Sequence, residues 1–452
     1  MFLPKPRKIT LGVLLLDVTL LVTVFNIVAW LRGIIVLTDW ILWPLIVPVL
    51  FVITAFYLID GYKTRTDMMS LDYTSEHIIA LLAALVATLL FTFVFFAGGY
   101  PLQQSRGVIA LSFLVYMPVS LSYRRAVYGA GLAARREKVL VFVGDAESSR
   151  LFAQECERLH YNHQVVYASP GPNPDDASVI NVDALLNKIE TGALDVEALV
   201  LRENNRDLHA QISQRLVNLY FRGIPTFTLE LFHQVYWRKI PLYRLNQTWL
   251  FQEGFKIARE PVFERLKRLS DILLSGFALT AGAPLFIAIA LAVWIDDRGP
   301  VLFRQTRIGK NRVPFRLFKF RTMRPNDGKD AYTKVGDLRI TRIGKFLRAS
   351  RLDELPQMLN VLLGDMSLIG PRAEWDKLVD RYEVEIPCYH FRHLVKPGIT
   401  GWAQVNYPYG ANLEDTIRKL EYDLYYIRHF SFLIDAAIVL KTIHIMLFGK
   451  GR

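Results

Sequence analysis

The chain has 452 residues, enough for two or three domains and a sizeable core. Its 52% hydrophobic share exceeds the norm for soluble proteins and points to membrane segments, while two isolated cysteines, Cys156 and Cys388, exclude a disulfide framework and a cysteine metal knuckle. A net charge of +12 calls for polyanionic partners; the apolar segments demote nucleic acid and no known nucleic-acid-binding motif restores it, which leaves lipid headgroups and phosphorylated substrates.

Residues 9–31, 41–59, 77–97 and 107–121 are apolar runs, and a helix crossing a bilayer needs about 20 such residues. They predict a four-helix transmembrane bundle over residues 1–125. Lys5, Arg7 and Lys8 precede the first run and no small-residue cleavage site follows, so the run reads as a retained anchor. Basic residues recur at Lys63 and Arg65 and again from Arg124 to Lys138, whereas the alternate loops hold only Arg32 and Arg106. The positive-inside rule then places the N-terminus and everything after residue 122 in the cytoplasm. Asp17, inside the first run, is either a functional intramembrane carboxylate or, the favoured reading, a packing or near-interface residue.

From Glu137 the pattern changes to α/β alternation. Lys138 to Val143 reads as a strand, a helix follows to His160, and further strands lie near Gln164–Ala168, Ala198–Leu201 and Thr226–Leu229. This predicts a Rossmann-like cytoplasmic domain over 137–240 with a small parallel sheet. After Gly144 the loop reads D-A-E-S-S-R, without the glycines that admit a pyrophosphate and with two repelling carboxylates, so a structural or dimerising module is expected and the whole protein is expected to be a homodimer.

Residues 241–262 read as a linker. Arg265 to Ile295 is long enough to span a bilayer but is broken at Gly282-Ala283-Pro284, with charged residues at both ends. A fifth span would carry the following basic region across the membrane; a re-entrant helix kinked at Pro284 enters and leaves on one face and satisfies both facts. An α/β domain over 263–452 begins there. Phe303 to Gly309 reads as strand and turn, and Phe315 to Met323 as a strand that puts Lys319 and Arg321 on a common face, suited to phosphate, to lipid headgroups or to plain solvation.

The stretch Arg348 to Arg372 (R-A-S-R-L-D-E-L-P-Q-M-L-N-V-L-L-G-D-M-S-L-I-G-P-R) holds the densest chemistry. Pro356 restricts a helix to beginning near Asp353 and running forward to Gly364, which places Asp353 and Glu354 at a helix N-terminus. Arg348 and Arg351 add guanidinium forks for phosphate, and the two carboxylates suit a shared divalent cation; the plainer reading is a capping Asp beside solvated arginines. Lys396 to Val405 has turn chemistry at Pro397-Gly398 and Gly401, and Leu413 to Arg428 reads as a helix. Phe432 to Phe448, apolar but carrying Asp435, Lys441 and His444, suits a helix lying in the membrane interface.

The motifs F-R-Q-T-R-I-G (303–309), K-F-R-T-M (319–323), L-D-E-L-P-Q (352–357), G-D-M-S-L-I-G-P-R (364–372) and K-P-G-I-T-G-W-A-Q-V (396–405) resemble those of the polyprenyl-phosphate sugar-1-phosphate transferases, also called monotopic phosphoglycosyl transferases or bacterial sugar transferases. The resemblance covers Arg265 to Arg452, and the N-terminal half is similar to that of the large members that initiate exopolysaccharide, capsule or O-antigen units. It implies transfer of a sugar 1-phosphate from a UDP-sugar to undecaprenyl phosphate with release of UMP, with magnesium (Mg2+), on the cytoplasmic face of a bacterial inner membrane. Carried onto this chain, it implies Asp353 as nucleophile, Glu354 assisting through the metal, Arg348 holding phosphate, and Lys319, Arg321 and Arg372 lining the donor site. The chain departs from the family pattern with Ala283 before Pro284, Ala373 after Pro371-Arg372, and Tyr407-Pro408-Tyr409-Gly410 after W-A-Q-V-N. Two other classes fit parts of the pattern: a membrane-bound NAD-dependent sugar dehydratase, against which the D-A-E-S-S-R loop argues, and a membrane scaffold, which leaves the acidic pair unexplained.

Overall fold

The computed structural model describes residues 6–36, 39–62, 66, 68–95, 106–136, 138–159, 161, 164–169, 179–202, 210–242, 261–324, 337, 339–407 and 412–448. The chain divides into two units, Met1–Phe232 and His233–Arg452.

The first unit opens with helices α1 (Pro6–Leu31), α2 (Ile46–Leu58), α3 (Leu71–Phe95) and α4 (Arg106–Arg136). Phe25, Phe56, Leu81 and Phe113, one from each helix, are fully buried in a shared core. Among the described residues, three helices hold an apolar stretch long enough to cross a membrane: Thr10–Leu31, Tyr73–Phe93 and Arg106–Ala130. The run at 41–59 does not. Trp43–Leu45 is a 3-10 turn with Pro44 near its start, and the α-helix that follows has 13 residues. At 1.5 Å per residue it rises about 20 Å against a hydrocarbon core of about 30 Å. The run at 107–121, by contrast, is the first half of a 31-residue helix that continues past Pro118 to Arg136.

Asp17 is a packing residue. Its carboxylate accepts from Arg124 at 2.5 Å, from Tyr62 at 2.8 Å, from Tyr116 at 3.0 Å and from Tyr123, and Arg124 also donates to the Gly61 carbonyl at 2.6 Å. Both charges are shut away from the surroundings, at 1% and 0% exposure.

The same unit contains β1 (Val139–Val143), α5 (Ala146–Arg158), β2 (Val165–Ser169), β3 (Val179–Asn181), α6 (Val182–Glu190), β4 (Val196–Leu201), α7 (Ala210–Phe221), β5 (Thr226–Thr228) and the short α8 (Leu229–Phe232). Among the described residues the strands form one parallel sheet in the order β3-β2-β1-β4-β5. Every residue of the central β1 is buried, as a strand covered on both faces demands. The three-residue β3 carries too short a pattern to read from sequence. At the carboxyl end of β1, Asp145 caps α5 by accepting from the Ser148 amide at 2.8 Å and pairs with Arg202, so a carboxylate already occupies the place a dinucleotide phosphate would take.

The second unit begins with a π-helical turn, His233–Trp237. Residues up to 240 were expected in the parallel-sheet domain, but Ile240 and Leu242 lie in the core of this unit and Lys239 forms a buried ion pair with Glu421 at 3.2 Å. The expected linker falls mostly on 243–260, outside the described residues. Then come α9 (Pro261–Ala281) and α10 (Ala283–Asp297), bent by 63° across Gly282 with Pro284 in the first turn of α10. Proline fits there because its missing N–H is one that no helical carbonyl needs.

Helix α9 is polar on its protein side. Lys267, Asp271 and Ser275, spaced four apart, are buried, while Leu266, Leu269, Leu273 and Phe277 are at least half exposed. On α10, Ile287, Leu291 and Ile295 are exposed in the same way. Such a pattern fits apolar surroundings rather than water.

The remaining elements are β6 (Leu302–Ile308), β7 (Pro314–Phe320), α11 (Arg342–Ser350), α12 (Gln357–Leu363), β8 (Ser367–Ile369), α13 (Asp376–Glu385), β9 (Gly398–Thr400), α14 (Trp402–Asn406), α15 (Leu413–Arg428) and α16 (Phe432–Phe448). β6 and β7 form an antiparallel hairpin and β8 and β9 a parallel pair. The turn chemistry expected at Pro397–Gly401 is therefore a strand leading into a short helix. Its glycines serve close approach: a Cβ on Gly398 would run into the Gly370 amide, and one on Gly401 into the Gly370 carbonyl. Helix α16, expected to lie in a membrane interface, turns its polar residues toward the protein. Asp435 is buried against Lys267 and accepts from Tyr426 at 2.8 Å, and Lys441 donates to Asn406 at 2.8 Å, while Leu433, Val439, Ile443 and Met446 face outward.

Candidate active site

The site is assembled on β7 and α12. Asn360, fully buried on α12, accepts from the Phe318 amide at 3.0 Å and donates to the Arg316 carbonyl at 2.7 Å, locking helix to strand. Arg268 of α9 donates to the carbonyls of Val361 and Leu362, which the helix end leaves open, and Gly364 at φ 99° ends the helix.

Asp353 and Glu354 do not open α12. Arg351 adopts the left-handed conformation at φ 59°, Leu352–Glu354 form a 3-10 turn, and the α-helix begins only after Pro356. The clash between the Pro356 ring and the carbonyl four residues back excludes an α-helical turn, whereas i to i+3 bonds, Glu354 N to the Arg351 carbonyl and Leu355 N to the Leu352 carbonyl, remain available.

The 3-10 turn presents its two carboxylates differently. Glu354 is buried, and its Oε1 accepts from Lys319 Nζ at 2.8 Å and from Arg372 Nη2 at 3.3 Å. Burial pushes Glu354 upward, but Arg372 and Lys319 outweigh it and hold it at about 2. Burial in turn lowers Lys319, with Glu354 opposing. Asp353 is half-buried, and among the described residues none donates a hydrogen bond to its carboxylate. Burial raises Asp353 above the usual carboxylate range; Lys319 pulls it down and Glu354 pushes it further up.

The other expected site residues are distributed around this pair. Arg348 donates to the Thr322 hydroxyl at 2.9 Å and the Met323 sulfur at 2.8 Å, and Arg351 is exposed; both act on Asp353 by charge rather than by hydrogen bond. Arg321 does not share the Lys319 site. The strand ends at Phe320, and the buried Arg321 pairs with Asp297 at the end of α10, clamping the bent helix pair to the hairpin. Sequence reasoning missed Arg307, Glu374, Arg392 and Asp423. Arg392 is buried, donates to Tyr389 at 2.6 Å and pairs with Asp423 at 3.0 Å, whose carboxyl burial raises to about 6 against the pull of Arg392.

A magnesium ion fits these residues in one mode only. Among the described residues no group of three or more His, Cys, Asp or Glu side chains converges. Glu354 already faces two cations, which leaves Asp353 as the accessible carboxylate, and Mg2+ held by one or two carboxylates takes its remaining ligands from substrate phosphates and water.

The family model for bacterial sugar transferases matches residues 262–449. A curated exopolysaccharide production protein (PSS) of Rhizobium leguminosarum bv. phaseoli is 43% identical over 187 residues, which cover 39% of this chain and 93% of that protein. The chain belongs to the bacterial sugar transferase family. A UDP-N-acetylgalactosamine-undecaprenyl-phosphate N-acetylgalactosaminephosphotransferase of Aeromonas hydrophila is 39% identical over 269 residues, 59% of this chain and 63% of the relative. A UDP-glucose:undecaprenyl-phosphate glucose-1-phosphate transferase of Klebsiella pneumoniae is 44% identical over 181 residues, 39% of each chain. The match thus spans less than two thirds of these two longer relatives. The matched family region, 262–449, contains α9 from its second residue, α10 and the whole Asp353 site.

The neighbours of Asp353 act on it with known signs, so the acid limb of any reaction that uses its carboxylate should respond to them. Glu354→Gln removes a negative neighbour and should move the acid limb to lower pH while slowing the reaction. Lys319→Met removes a positive neighbour and should move it to higher pH. A single-turnover pH profile of the two variants checks both; shifts of the same sign would contradict the assignment.

Proposed function

We propose that this protein transfers a sugar 1-phosphate from a UDP-sugar to undecaprenyl phosphate, releasing UMP and giving undecaprenyl diphosphate-sugar, as the first membrane step of an extracellular polysaccharide. The observation that carries the reading is the unequal carboxylate pair: Glu354 is tied to Lys319 and Arg372, and Asp353 beside it is left open.

An oxygen of the Asp353 carboxylate attacks the sugar-linked phosphorus, the bond from that phosphorus to the bridging oxygen breaks, and UMP leaves with the electron pair. Asp353 then carries the phosphosugar as an acyl phosphate. A phosphate oxygen of undecaprenyl phosphate attacks the same phosphorus, the acyl phosphate bond breaks, and the carboxylate returns with its electron pair. Lys319 and Arg372 offset charge on the phosphoryl oxygens and hold Glu354 ionised; Arg348 and Arg351 favour the ionised form of Asp353. Asp353, the carboxylate left accessible beside Glu354, would hold a magnesium ion shared with the donor phosphates, and the ion would supply charge neutralisation of the diphosphate.

The three apolar helices, the bent pair α9–α10 and the outward apolar face of α16 support a membrane location. With the basic loops, they favour a bacterial inner membrane with the site on its cytoplasmic face. The Asp145 carboxylate at the start of α5 disfavours an NAD-dependent dehydratase. The named relatives act on different sugars, so the test is a panel of UDP-sugars with undecaprenyl phosphate and the full chain in membranes. At least one donor should give equal amounts of UMP and lipid-linked sugar; release of UDP, or of free sugar phosphate without a lipid product, would sink the reading.

A further inference from the structure

The segment that carries Arg372 is gripped from two sides. Arg392, in a 3-10 segment over Tyr389–Leu394, donates through Nη2 to the Arg372 carbonyl at 3.0 Å. Arg307, near the end of β6, donates through Nη1 to the next carbonyl, that of Ala373, at 3.1 Å. The two guanidiniums also face opposite oxygens of the Glu374 carboxylate, at 3.7 Å and 3.9 Å. Each has its own anchor: Asp423 and Tyr389 for Arg392, and Gln305, at 2.6 Å, for Arg307. On its third side the segment is tied by the Gly398 amide to the Pro371 carbonyl at 2.9 Å.

We infer that Arg307 and Arg392 are positioning residues for the transfer reaction, a two-armed clamp on the Arg372–Ala373 backbone that fixes the reach of the Arg372 side chain to Glu354. Burying the Arg392 guanidinium and most of that of Arg307 is costly, and apolar side chains would pack the same space at lower cost. What apolar side chains lack is the ability to hold two successive carbonyls at fixed distances. Arg372 needs that fixity because its side chain is 40% exposed and meets Glu354 through one long contact of 3.3 Å. With Ala373 rather than a ring-locked residue following Arg372, the backbone there takes its rigidity from outside.

The inference rests on the role given to Arg372 under the proposed function, so two readouts are needed. In the first, kcat/KM for UMP release is measured on the full chain for Arg392→Gln, Tyr389→Phe, Arg372→Ala and the double variant Arg372→Ala/Arg392→Gln, with the best UDP-sugar of the panel. Arg392→Gln should lose about 10²-fold, the scale set by a misplacement of roughly 1 Å, and the double variant should fall no further than Arg372→Ala. Multiplying losses would overturn the clamp.

The second readout needs no turnover: phenylglyoxal labelling of each arginine, mapped by mass spectrometry. Arg372 should label several-fold faster in Arg392→Gln and in Tyr389→Phe, which removes one hydroxyl only, while the buried Arg321 keeps its wild-type rate. Unchanged labelling of Arg372 overturns the clamp; faster labelling of Arg321 in Arg392→Gln marks unfolding, and Tyr389→Phe then decides. If no variant or wild-type chain releases UMP, the proposed function falls and the labelling still tests the clamp.

Discussion

Replacing Asp353 with Asn should leave a folded protein that neither releases UMP nor carries a phosphosugar after incubation with donor alone. The amide has the shape of the carboxylate but cannot form an acyl phosphate, and losing a covalent nucleophile typically costs on the order of 10⁴-fold or more. Folding should survive, because Asp353 lies ahead of α12 and caps no helix there. In the wild-type chain, radiolabelled donor without lipid acceptor should label the protein, with the label on the peptide containing Asp353 and lost on adding undecaprenyl phosphate. Full turnover in Asp353→Asn, or an adduct mapped to another residue, would end this mechanism.

The second large effect lies in the helical region. Arg124→Leu or Asp17→Leu alone should destabilise the detergent-solubilised protein by about 3–5 kcal/mol, because each strands the other charge in an apolar core. The double variant Asp17→Leu/Arg124→Leu should lose less than either single variant, since it strands no charge and takes partners only from neutral groups, the tyrosine hydroxyls and the Gly61 carbonyl. Thermal unfolding of the three variants measures this. Losses that simply add would mean that the two residues do not act as a pair.

What the sequence disclosed follows from which forces are local. The apolar runs, the break at Gly282 and the helix Leu413–Arg428 depend on composition, on one proline and on helical spacing, and each is found in the folded chain at or near its expected place. The start of the Asp353 turn was misplaced because proline excludes an α-helix without saying which tighter turn replaces it. Arg321 was misplaced for a different reason: the alternation that pairs it with Lys319 stops one residue earlier, and its partner, Asp297, lies 24 residues away. Arg307 sits in the quoted F-R-Q-T-R-I-G motif and Arg392 in none, yet both act through carbonyls 66 and 20 residues distant. Nothing in a linear pattern marks a side chain whose role is to hold another segment's backbone. The short α2 has a similar cause, since an apolar run counts residues and Pro44 delays the helix within it.

The buried stripe on α9 has a consequence for synthesis. Lys267 finds its counter-charge in Asp435, 168 residues later in the chain. At about 5–20 residues per second, ribosomes make Asp435 on the order of 10–30 s after Lys267. During that interval α9 is already made, yet Lys267 lacks the carboxylate it pairs with in the folded chain. The packing of α9 that buries Lys267 against Asp435 therefore cannot be completed until α16 has been made, so this part of the fold closes late in synthesis.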